Sequence, residues 1–175
     1  DENYQPTSSC KHPETPDYSS RIMTGKEFLA ERLGPVCYIW TFIFRLSIIK
    51  ENDIYFLEGD YFDDTPWLPR VCIKAERVNS IDFKRHFYLI RNNSLVHSES
   101  DKAITRKIDG QLFLIELLSK QRNEFYDPIS DKWYGLMISH CVLTLMSLVA
   151  TNRFIERIDY IAKLRKLNVF PISTY

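Results

Sequence analysis

Between residues 36 and 48 the even positions read Val36, Tyr38, Trp40, Phe42, Phe44, Leu46 and Ile48, while the odd positions include Thr41, Arg45 and Ser47. Period two with one wholly apolar face predicts a long strand over 36–49, bent or bulged somewhere along its length. Residues 53–58 read as its hairpin partner, through a turn at 50–52. Further strands are expected at 71–78, 83–91, 94–98 and 111–118. Asn92-Asn93 and Gly110 mark turns between them, because Asn and Gly tolerate positive φ.

Helical signals flank this region. Thr24 with Glu27 three residues on forms a capping box for a short helix over 25–33, which Gly34 and Pro35 end. Asp127-Pro128 fits an N-cap followed by Pro at the first helical position. The run after it is apolar nearly all round, except for His140, Thr144, Ser147 and Thr151, whose spacing of four, three and four is one helix face. A second helix over 153–167 is expected to turn Phe154, Ile158, Ile161 and Ala162 inward. The elements add up to an α+β domain. A central, mostly antiparallel sheet or partly open barrel over 36–118 packs against two C-terminal helices at about 128–167. Residues 1–20, with Pro6, Pro13 and Pro16 among Ser, Thr and charged side chains, read as a flexible tail or linker, and 21–175 as a single domain.

Composition narrows the function classes. Hydrophobic residues make up 45 % and aromatics 14 % of 175, enough to bury a core without metals or disulfides. Only five glycines argue against Gly-rich phosphate loops. Lys plus Arg and Asp plus Glu both number 23, so no net charge favours a nucleic-acid partner. The charge is unevenly placed, however. Glu51, Asp53, Glu58, Asp60, Asp63 and Asp64 form an acidic stretch without a base. Arg70, Lys74, Arg77, Lys84, Arg85 and Arg91 follow against only Glu76 and Asp82.

Cys10, Cys37, Cys72 and Cys141 lie far apart with no C-x-x-C, which disfavours zinc. No cofactor is expected. The cysteine usage favours an intracellular setting, cytoplasmic or nuclear, although the sequon at Asn92-Asn93-Ser94 keeps secretion open. The chain opens on Asp1 rather than Met, which reads as either a processed chain or a piece of a longer protein or complex. The apolar run over 133–150 is too short and too polar for a transmembrane segment.

No G-x-S-x-G nucleophile motif, P-loop, dinucleotide fingerprint, H-x-x-x-H or H-E-x-x-H is present. Asp63 or Asp64 followed by Asp82-Phe83-Lys84 is the nearest approach to an enzyme pattern, that of a metal-dependent nuclease. Two acids would there converge on Mg²⁺, with Lys84 beside the attacking water or the phosphate. The stretch 83–95 resembles the second and third strands of pleckstrin-homology domains. That family has a basic pair, here Lys84-Arg85, before an aromatic-rich strand, a turn and a strand opening in Ser-Leu. The resemblance implies that Lys74 joins the pair in holding an acidic headgroup; His86 stands where the family carries Arg.

Lys74, Lys84, Arg85 and Arg91, interleaved with Phe87 and Tyr88, would serve a nucleic-acid or acidic-ligand module. The leading expectation is a non-enzymatic protein-interaction domain of adaptor or scaffold type. Its partner, another protein, would dock on the 59–69 loop through Tyr61, Phe62 and Trp67, since aromatic side chains dominate interface energetics.

Overall fold

The computed structural model describes residues 21–35, 37–58, 62–81, 100–152, 157–167 and 169. Over these the chain is a helical assembly. Six α-helices follow in order: α1 (Gly25–Glu31), α2 (Leu46–Glu51), α3 (Asp64–Lys74), α4 (Asp101–Glu124), α5 (Pro128–Thr151) and α6 (Arg157–Lys166). A single 3₁₀ turn (Ile39–Thr41) precedes α2. The α+β reading, with its sheet or barrel over 36–118, is therefore wrong. Among the described residues the one β-type pairing is an isolated antiparallel bridge between Met23 and Val78. The strands expected at 83–91 and 94–98, and the pleckstrin-homology likeness with them, lie outside the described residues.

Each misread stretch has a local reason. In 36–49 the alternation holds only over Phe42 and Phe44, whose rings share one side and stack at 5.7 Å. Among the described residues no neighbouring strand takes up the backbone, and it closes on itself. Thr41 N–H bonds Tyr38 O at 3.1 Å and Phe42 N–H bonds Ile39 O at 3.0 Å. Residues 46–51 then coil into α2. At 111–118 the apolar pattern is helical over a longer window. Ile108, Gln111, Ile115, Leu118 and Gln121 are all buried and recur every three or four residues along the 24-residue α4. Gly110 lies inside that helix and makes no turn.

The two caps legible in the sequence form as read. Glu27 N–H donates to Thr24 Oγ1 at 3.3 Å, and Thr24 N–H donates to a Glu27 carboxylate oxygen at 2.7 Å. Asp127 caps α5 by accepting from Ile129 N–H at 2.9 Å, with Pro128 at the first helical position. The loop between α4 and α5 is so short that the two long helices fold back as an antiparallel hairpin. Arg122 clamps its closed end by a two-pronged bond to Asp131, at 2.7 and 2.8 Å. Lys26 reaches Asp127 at 2.7 Å and ties α1 to the same corner.

The core lies between this hairpin and α1 with α3. Leu29, Leu68, Ile108, Ile115, Leu118, Tyr134, Val142 and Leu145 have almost no exposed surface. On α5 His140, Ser147 and Thr151 of the polar stripe are exposed and Thr144 is half-buried, with Leu143 and Met146 exposed beside them. α5 is long and apolar enough to cross a membrane by length and composition alone. Half of its most apolar 18-residue window is buried within the fold. On α6 the inward face is Tyr160 and Leu164, continued by Leu167 just after the helix. Ile161 and Ala162 point out.

α1 and α3 approach so closely that one residue has no room for a side chain. A Cβ on Gly25 would sit 1.8 Å from the carbonyl oxygen of Cys72, while Gly25 N–H bonds Ala75 O at 2.8 Å. Gly25→Ala is expected to destabilise the fold by at least about 1–3 kcal/mol, since backbone rather than a flexible side chain must yield. Urea unfolding followed by far-UV circular dichroism checks this.

The two aspartates at the hairpin corner give a pH dependence. The Arg122 hydrogen bond holds the Asp131 carboxyl below its ordinary value of 3.8. The Lys26 hydrogen bond, then the Ile129 N–H, does the same for Asp127. A carboxyl depressed in the folded state contributes stability above its unfolded pKa and loses it as pH falls through the folded one. Asp131→Asn should therefore be less stable than the parent at pH 7, and the gap should close below pH 3.8. Denaturation midpoints measured across that range test the sign.

Candidate functional site

The segment running from the 3₁₀ turn to residue 57 is laid across α3 by a chain of ring contacts. Phe28 of α1 meets Phe42 edge to face at 5.8 Å. Phe42 stacks on Phe44, and Phe44 meets Trp67 edge to face at 5.0 Å. The opposite side of the segment returns to the same indole, since Phe56 stacks on Trp67 at 4.4 Å. Trp67 also donates its indole N–H to Ile54 O at 3.0 Å. One buried side chain thus holds both arms of the 42–57 excursion. Between the arms, α2 ends in a tight turn in which Asp53 takes φ 50, the left-handed region that Asp tolerates better than most residues. Ile54 N–H closes that turn on Ile49 O at 3.0 Å.

This arrangement leaves many large apolar groups on the outside. Ile43 is 91 % exposed, and Tyr38, Trp40, Leu46, Tyr55, Phe56 and Leu57 are between 37 % and 58 % exposed. Tyr38 and Trp40 stack on each other at 4.6 Å. The exposed charges along the segment and just after it are of both signs, namely Arg45, Lys50, Glu51, Asp53 and Glu58.

Beside this face, α3 and the C-terminal end of α4 enclose an open cleft of about 160 Å³. Its walls include Tyr55, Leu57, Trp67, Arg70, Leu117 and Phe125. Gln121 lies at its inner side, only 5 % exposed. Its side-chain N–H donates to Pro66 O at 3.1 Å, and its oxygen is buried without a hydrogen-bond partner. Arg70 extends towards Asp53 O and Tyr55 O, 3.4 Å from each. Tyr134, buried beneath this region, has its phenol pushed above the usual range, chiefly by desolvation and secondly by the neighbouring Cys72.

The sequence-predicted site residues are dispersed by this geometry. Trp67 sits in the core on α3, 4 % exposed, rather than on an open loop. Phe62 is half-buried and packs against the core. Tyr61 lies outside the described residues, as do Lys84, Arg85 and Arg91. Lys74 is exposed in the last turn of α3, where a cation meets the negative end of the helix dipole. Of the nuclease acids, Asp63 caps α3 by accepting from Asp64 N–H at 3.1 Å. Asp64 is half-buried, its pKa raised by desolvation and then by Asp63. Asp82 lies outside the described residues with Lys84. Among the described residues no group of three His, Cys, Asp or Glu side chains could hold a metal.

Three thiols, on Cys37, Cys72 and Cys141, are free and buried. Desolvation pushes Cys72 and Cys141 up to about 12; Cys37 is raised too, by desolvation first. The residues that the sequence reading missed are Gln121, Arg70, Lys120 and Glu124. A signal for Gln121 existed: an uncharged polar residue on the apolar stripe of a helix implies a buried hydrogen-bonding task. The chain matches no family model, no curated protein and no solved structure.

Trp67 offers a direct test of how this face is held. Trp67→Ala should cost about 3–5 kcal/mol by removing a buried ring from the core. Trp67→Phe keeps a stacking ring but strands Ile54 O, and should cost about 1–3 kcal/mol. A smaller loss for alanine than for phenylalanine, in paired guanidinium titrations, would contradict the arrangement.

Proposed function

We propose that this chain is a non-enzymatic protein-interaction domain whose contact face is the aromatic segment 38–57 lying over α3. The observation that carries this reading is the exposure of seven large apolar side chains from one short segment, with Ile43 at 91 %. Exposed apolar groups gathered along one segment are characteristic of surfaces that another protein covers. Exposed charges of both signs lie beside them, Arg45 and Lys50 with Glu51, Asp53 and Glu58, so the apolar groups rather than net charge mark the face. The face differs from the one the sequence indicated. Trp67 serves it from beneath, as a support, while the contact groups are Tyr38, Trp40, Ile43, Leu46 and Tyr55.

Ile43→Glu combined with Leu46→Glu tests the face without touching the core. Because both side chains are exposed, the melting curve should shift little, within about 0.5 kcal/mol. A protein recovered from native extract by the parent chain, then purified alone and titrated, should bind the double variant at least about tenfold more weakly. Equal affinities would overturn the proposal. Sedimentation of the parent alone identifies a second copy of the chain as the partner if a dimer forms and the double substitution dissolves it.

A further inference from the structure

We propose that the stacked Tyr38–Trp40 pair on the contact face is covered by this chain's own N-terminal segment, through Pro13 and Pro16. The proposal rests on the interaction reading above and adds a regulator to it, a segment in cis that a partner must displace.

The pair offers the kind of surface that proline favours. Tyr38 and Trp40 stack at 4.6 Å with their ring planes inclined by 26°, and they remain 49 % and 41 % exposed. The backbone beneath them is held in a tight turn. The Thr41 hydroxyl donates to Tyr38 O at 2.6 Å, and Phe42 N–H bonds Ile39 O at 3.0 Å. Polyproline II segments dock on aromatic surfaces of this sort, at low entropic cost because proline has already extended them.

Residues 1–20 lie outside the described part of the chain, and they carry a sequence suited to that surface. His12-Pro13-Glu14-Thr15-Pro16 places two prolines three residues apart. Polyproline II completes a turn every three residues, so this spacing sets both rings on one side.

The point of attachment favours contact within one chain. The described residues begin at Arg21, whose guanidinium pairs with Glu31 of α1 at 2.8 Å. The same helix sends Phe28 against Phe42 of the contact segment, at 5.8 Å. The N-terminal segment is therefore anchored beside the helix on which the contact segment packs. Pro16 precedes Arg21 by five residues, about 15 Å of polyproline-like chain. That exceeds the roughly 10 Å length of the seven-residue α1. So short a tether holds the prolines at millimolar effective concentration, enough to populate a contact too weak to form between separate molecules.

The test uses the full ¹⁵N-labelled chain with a nitroxide on Cys10, three residues before Pro13. Cys37, Cys72 and Cys141 are buried, so brief labelling of the native chain is directed to Cys10, and peptide mass mapping verifies the site. The amide signals of Tyr38, Trp40 and Ile43 should lose most of their intensity relative to the reduced nitroxide. Those of Thr105 and Arg106, at the far end of the α4–α5 hairpin, should keep theirs. The loss should persist on dilution and vanish when Pro13→Ala is combined with Pro16→Ala. A loss that is absent, spreads evenly over the surface, fades on dilution or survives the double substitution overturns the proposal. Fading on dilution would assign the segment to a second copy of the chain.

The proline double variant should also bind an isolated partner about twofold or more tightly, since apparent affinity scales with the fraction of the face left open. Equal or weaker binding overturns the proposal. The nitroxide measurement needs no partner, so its failure leaves the contact face standing. Equal binding by the Ile43 and Leu46 double variant removes the face itself, and the two failures are read separately.

Discussion

The hydrogen bond from the Trp67 indole to Ile54 O, with the two rings packed on that indole, is the constraint on which the rest of the surface depends. The 37–57 excursion carries little regular structure of its own: one 3₁₀ turn and the short α2. Isolated helices of that length are unstable in water. What fixes it is burial of a large amphipathic ring that meets both of its arms and satisfies one of its backbone carbonyls. The same indole faces the cleft shared with α4. Contact face and cleft are thus two sides of one packing event.

α3 can provide that support because its two prolines are placed tolerably. Pro66 falls in the first turn, where the backbone N–H has no intrahelical acceptor to lose. Pro69 lies inside and removes the rung to Thr65 O, a cost that burial of Trp67, Leu68, Val71 and Cys72 on the same short helix offsets. The neighbouring carbonyl of Pro66 draws a second donor from Gln121 on α4. Gln121 thus ties α4 to the backbone of α3, with its own amide oxygen left buried and without a hydrogen-bond partner.

What was legible in the sequence was local. The capping box of Thr24 with Glu27 and the Asp127-Pro128 start are each decided within a few residues, so pattern and structure coincide. Elements decided by partners at long range were not legible. The alternation across Val36 to Ile48 looks like a strand only if another strand is available to pair with it. Branched residues around Gly110 look like a strand and a turn until the window widens to the full 24-residue α4. Pro66 and Pro69 imitate a loop because sequence does not show that the first turn forgives proline and that core burial outweighs the second. For the site, aromatic identity was visible but exposure was not. Trp67 was picked out for the right reason, its capacity to anchor, yet it anchors its own chain.

Burial of the three thiols has a consequence for how this fold can be followed. Cys37, Cys72 and Cys141 are protonated at neutral pH and closed to solvent, so reagents that attack thiolates should meet them only when the core opens. They sit in different parts of the chain, on the segment before the 3₁₀ turn, on α3 and on α5. Their separate rates of alkylation under native conditions would distinguish release of the aromatic excursion alone from opening of the helical core.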